Sequence, residues 1–200
     1  TVKGASLTAV MSSQPTSQNI VTGGQAVLLG QVQLDASQSG EDARMSSIVL
    51  TQTGVITELT SCQLFNGSTA LNTGSNVPSA LAATTESTTF TFDNTLTIPK
   101  GTVMTLGIKC NVSGSGTHVW SVSTTAMTAT GVTSGAAINV TETASSGGTM
   151  TIVSGGSVAL TVDASSPSYA LVAAGTTGQT VGVVKLRATN EAITLTKLGL

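Results

Sequence analysis

A chain of 200 residues with 40% hydrophobic content has enough apolar material to bury a core in one or two domains, which excludes disorder throughout. Charged residues make up only 8% and the net charge is −2, so seven Lys and Arg cannot form a phosphate-binding face and no nucleic-acid partner is expected. No apolar run approaches the roughly 20 residues of a membrane-crossing helix, so no membrane span is expected, and no signal peptide is visible.

Aromatic residues amount to 2%, and the polarity that charge would normally supply comes from Thr, Ser, Gly, Asn and Gln. Branched Thr and Val favour strands because their Cβ substituents pack well on a pleated surface. Such a composition fits extracellular surface proteins and virion appendages. The chain begins Thr1-Val2-Lys3, which reads as a processed end or a fragment.

In chain order, residues 6–11 form a first predicted strand, broken at Pro15. Residues 19–21 and 26–34 follow, separated by Gly23-Gly24, with Leu28, Gly30, Val32 and Leu34 on one face of the second. Residues 35–45 read as a polar loop. Strands over 47–53 and 58–65 come next, closed by the tight-turn pair Asn66-Gly67. Residues 70–86 read as loop or weak strand. Strands over 88–92 and 96–98 precede the turn Pro99-Lys100-Gly101, and residues 103–112 alternate Met104, Leu106, Ile108 and Cys110 on one side. Short strands over 119–122, 126–129, 137–141 and 148–153 complete the series. Closely spaced strands with turn signals and no helical periodicity indicate an all-β sandwich.

The C-terminal part repeats the beginning. With an offset of 152, Val162 falls on Val10, Pro167 on Pro15, Gly175 on Gly23, Gly182 on Gly30, Val184 on Val32 and Leu186 on Leu34. Once the polar loop is removed, Ile193, Leu195, Thr196 and Gly199 fall on Ile48, Leu50, Thr51 and Gly54. Residues 1–153 are therefore expected to form one sandwich and residues 154–200 the first strands of a second, incomplete one. The stretch 150–160 would connect them. The incomplete unit either belongs to a longer tandem array or borrows strands from a neighbouring subunit.

Cys62 and Cys110 each sit in a strand-like segment. They are either joined, closing a loop of about 49 residues, or are two separate buried thiols. With one histidine elsewhere, they do not make a metal site.

Three stretches carry a family resemblance: Leu64-Phe65-Asn66-Gly67-Ser68, the run from Phe90-Thr91-Phe92 through Ile98-Pro99-Lys100-Gly101-Thr102, and the alternating 103–112 strand. On these the chain resembles tandem immunoglobulin-like or cadherin-like repeat proteins of microbial surfaces, such as S-layer, stalk and fibre proteins. The resemblance implies an immunoglobulin-like β-sandwich. Trp120 follows both cysteines rather than lying between them, which departs from the antibody-domain order.

Candidate sites are sparse. His118 is the single histidine, no nucleophile elbow accompanies it, and it reads as structural or surface rather than catalytic. Trp120 reads as core. Asp35, Glu41 and Asp42 read as solvated loop residues, with a surface calcium site as the sharper alternative. Asn66, Asn111 and Asn139 head Asn-x-Ser/Thr sequons and are candidate glycosylation sites. No catalytic, metal or cofactor set is expected. The sequence thus points to a non-enzymatic structural subunit of a cell-surface assembly (S-layer, sheath or filament) that associates with identical subunits or adjacent repeats. The alternative is an adhesin stalk or virion decoration module that binds a receptor or glycan through loops 35–45 and 66–86.

Overall fold

The computed structural model describes residues 3–78, 85–122, 127–169 and 171–199. The chain divides into two compact units, Thr1–Val153 and Ser154–Leu200.

The first unit is an all-β sandwich. Its strands are β1 (Thr8–Met11), β2 (Gln18–Val21), β3 (Val27–Asp35), β4 (Ala43–Thr53), β5 (Leu59–Asn66), β6 (Thr69–Ala70) and β7 (Thr85–Ile98). They continue with β8 (Val103–Val112), β9 (Gly116–Val122), β10 (Thr128–Gly131), β11 (Ala137–Asn139), β12 (Thr141–Glu142), β13 (Ser145–Ser146) and β14 (Met150–Val153). One sheet has the order β12-β1-β3-β8-β5-β6. The other runs β11-β10-β4-β9-β14-β2, with β7 along the free edge of β4 and β13 against β9.

The alternation read from the sequence decides which side chains enter the core. Along β8, Leu106, Ile108, Cys110 and Val112 are buried while the residues between them are half-exposed. From the facing sheet come Ile48 and Leu50 of β4, Phe90 of β7 and Trp120 of β9, all fully buried. Phe90 and Trp120 pack tilted, with ring centroids 5.8 Å apart. Gly30 sits against both sheets here: a Cβ on it would meet that of Trp120 in the facing sheet at an ordinary contact distance of 3.5 Å and press on Met11 Cε at 3.2 Å.

Several elements depart from the sequence-based expectation. The strands expected at 88–92 and 96–98 are one strand, β7, which shifts register between its pairings Ser47↔Thr91 and Met45↔Leu96. The displaced residues put Asp93 over the 71–76 loop. There its carboxylate accepts the Thr73 N–H (2.9 Å), the Thr73 hydroxyl (2.6 Å) and the Asn76 amide (2.8 Å). The Thr73 hydroxyl bond, then the Asn76 bond, hold the Asp93 carboxyl below the usual carboxylate range. Of the stretch expected to be loop or weak strand, residues 79–84 lie outside the described residues. The strand expected at 126–129 is β10, beginning at Thr128; Ala126 lies outside the described residues. Met150–Val153 is no connector either. It is β14, paired with both β9 and β2, with Met150 and Ile152 in the core. The linker therefore narrows to Ser154-Gly155-Gly156.

Cys62 and Cys110 form a disulfide, with Cα atoms 4.1 Å apart. It joins β5 to β8, neighbours within one sheet. The antibody-domain bridge instead crosses between sheets, so the sandwich is stapled differently from that pattern.

Candidate functional site

The second unit is a hairpin, β15 (Ser157–Val162) paired antiparallel with β16 (Val184–Thr189). Its register places Leu160 opposite Leu186 and Val162 opposite Val184, with Val158 opposite Ala188. These residues share one face. The intervening pairs, Ala159 with Arg187 and Thr161 with Lys185, put both cations on the other face. The hairpin is amphipathic in the way a sandwich strand pair must be.

This register is that of β1 and β3. In the first unit Ala9 faces Leu34 and Met11 faces Val32. Shifting β1 by 151 residues and β3 by 152 turns these pairs into Leu160–Leu186 and Val162–Val184. The bond that closes each ladder also matches: Ser12 N–H to the Gln31 carbonyl, 2.8 Å, and Asp163 N–H to the Val183 carbonyl, 2.8 Å. The turn glycines Gly23 and Gly175 adopt φ of 87° and 89°, a left-handed conformation that glycine enters without steric cost. One residue more separates β15 from Pro167 than separates β1 from Pro15. Val162 is therefore the counterpart of Met11, not of Val10 as the uniform offset assigned it.

Covering differs. Ala9, Met11, Val32 and Leu34 are buried, whereas Leu160 is 51% and Val162 75% exposed. Segments matching other early strands do not form strands at all. Among the described residues β2 pairs only with β14, and residues 171–173, the counterpart of 19–21, are irregular. β4 pairs with β7, β9 and β10, and residues 191–199, which carry its counterparts Ile193 and Leu195, are likewise irregular. Each early strand forms in the second unit only where its ladder partner is also present there.

The remaining candidates have local structural tasks. His118 is buried on β9; its Nδ1 accepts from the Gln52 amide nitrogen at 3.0 Å, and its Nε2–H donates to Glu58 Oε2 at 3.0 Å. Glu58 Oε1 in turn accepts the Ser115 N–H at 2.9 Å. The imidazole thus ties β4, β9 and the 56–58 turn together. Trp120 lies in the core, and its Nε1 has no hydrogen-bond partner among the described residues.

Asp35, Glu41 and Asp42 do not converge. Asp35 accepts the Ser37 N–H (2.7 Å), Asp42 accepts the Lys100 N–H (2.9 Å), and Glu41 binds the N–H groups of Thr133 (2.7 Å) and Ser134 (2.8 Å) and the Ser134 hydroxyl (2.6 Å). These bonds, the Ser134 hydroxyl first, hold the Glu41 carboxyl below its usual value. From partly exposed positions these carboxylates clasp neighbouring turns, and they do not share a cation position. Among the described residues no three His, Cys, Asp or Glu side chains gather as a metal site.

Asn66 and Asn139 are exposed, on the β5–β6 turn and on edge strand β11. Asn111 is half-buried, and its Oδ1 accepts the Ala26 N–H at 2.9 Å. No helix among the described residues is long and apolar enough to cross a membrane. Against protein-family models, characterised proteins and solved structures, the chain has no significant match.

Proposed function

We propose that this protein is a non-enzymatic structural subunit of an extracellular assembly (S-layer, sheath or filament) built from tandem β-sandwiches of the immunoglobulin-like or cadherin-like repeat type. One observation carries the reading: residues 157–189 rebuild the β1–β3 ladder in its register yet leave its apolar face uncovered. An isolated two-stranded hairpin is marginal in water. An exposed apolar face beside open strand edges favours association. A second unit that begins like the first is the signature of a chain whose units repeat.

The disulfide supports an oxidising compartment, where such bonds persist. A surface carried by Thr and Ser rather than by charge suits the same setting. Load would pass along backbone ladders in shear, with Cys62–Cys110 limiting extension of the 48-residue separation it spans. Electron microscopy of native material tests the reading. Ordered layers or fibres whose axial repeat matches one sandwich support it; dispersed monomers in the native material refute it.

A further inference from the structure

We infer that the free edge of β16 receives, antiparallel, a strand of the β8 type belonging to the same repeat as β16, and that this strand brings the facing sheet over Leu160 and Leu186. The inference rests on the tandem-array reading and deepens it by naming what covers the hairpin. In the first unit β3 has β1 on one edge and β8 on the other, with Leu34 opposite Met104, Val32 opposite Leu106 and Gly30 opposite Ile108. β16 has β15 on one edge and no strand on the other among the described residues.

The offset carries the pattern across directly. An apolar residue of the incoming strand would stand opposite Leu186, another opposite Val184, and a third opposite Gly182, as Ile108 stands opposite Gly30. Lys185 and Arg187 would remain on the solvent side with the incoming strand's polar positions, as Gln33 faces Thr105.

Chain order identifies the source. β3 is followed by β4, and β16 is followed by residues bearing the β4 counterparts Ile193, Leu195 and Thr196. The chain is already proceeding through the repeat in sequence. A second copy of these 200 residues is a poor donor, because its β8 is held by β3 on one edge and β5 on the other.

The test joins residues 39–153, which hold β4 to β14, directly after Asn190 in the otherwise unchanged protein. Amide exchange across Val184–Thr189 is expected to slow by roughly tenfold or more relative to the 200-residue chain, since pairing removes local opening. The substitution Leu186→Lys should abolish that protection and leave the first unit's exchange unchanged. As a second measurement, a peptide of residues 102–113 carrying Cys110→Ala is added to the 200-residue chain, where it should protect the same amides in a saturable way. The inference is overturned if neither the extended chain nor the peptide slows exchange in β16. It is also overturned if the 200-residue chain dimerises unaided, protects β16 in doing so, and loses both effects with Leu186→Lys, since a second copy is then the occupant. Protection without ordered native assemblies would leave strand acceptance standing and remove the array reading; assemblies without protection would do the reverse.

Discussion

Leu34 and Leu186 occupy the same rung of two hairpins, 152 residues apart, and one is wholly buried while the other is 41% exposed. The same side chain in the same ladder position therefore does different thermodynamic work. Leu34→Ala removes a buried leucine and should destabilise the first unit by about 2–5 kcal/mol. Leu186→Ala should leave unfolding of the 200-residue chain within about 0.5 kcal/mol of the parent, as at other exposed sites. Urea titration of both variants checks this; equal losses would mean the second hairpin is already covered.

How much of this could be read from residues alone depends on which interactions were local. The alternation of Met104, Leu106, Ile108 and Cys110 gave β8 its bounds, because period-two burial is written into every second residue. The glycine turns marked the repeat for the same reason. The one-residue slip near Pro167 was hidden, since a uniform offset aligns Pro and Gly while misplacing β15; only the ladder pairs correct it. The β7 irregularity at Asp93 was hidden too, because the groups that Asp93 meets there lie in the 71–76 loop, 17 to 20 residues away in sequence. Glu41 read as one of three loop acids and His118 as a single histidine, and the partners that explain them are 92 and 60 residues distant.

Removing the Cys62–Cys110 bridge should be costly. Closing a loop of this length restricts the unfolded chain by an amount worth about 4 kcal/mol in the loop-entropy model. The double variant Cys62→Ala, Cys110→Ala is expected to lose stability of that order, seen as a lower urea midpoint. The parent should show the same loss on reduction, and adding reductant to the double variant should change nothing further.

The buried chain Gln52–His118–Glu58 predicts an asymmetric response. Glu58→Ala strands the buried His118 Nε2–H, while the exposed Ser115 N–H turns to water, and one orphaned buried donor costs about 1–3 kcal/mol. Gly54→Ala should be worse. Gly54 has φ 134°, and a Cβ there would lie 2.2 Å from the Thr117 carbonyl oxygen and 2.9 Å from His118 Nδ1. Steric displacement and backbone strain together should cost about 3 kcal/mol or more. Thermal melts of both variants rank them, and a Gly54→Ala protein as stable as the parent would refute this account of the turn.

The clasps at Glu41 and Asp93 set an acid response. Both carboxyls have folded-state pKa values lowered by hydrogen bonds to the ionised form, from the Ser134 hydroxyl in one case and the Thr73 hydroxyl in the other. A carboxyl of this kind binds fewer protons folded than unfolded. Its stabilising contribution is complete above the ordinary carboxylate pKa of about 4 and is lost as pH falls through the lowered folded value. Amide exchange at Thr73, Thr133 and Ser134, corrected for the intrinsic pH dependence, should therefore accelerate below about pH 4 before the β3–β8 ladder loosens. Asp93→Asn keeps one acceptor but no charge, so the Thr73 amide should exchange faster at neutral pH and lose its acid dependence, while Thr133 and Ser134 keep theirs. If all three amides changed together in that variant, the clasps would be one cooperative unit rather than two local ones.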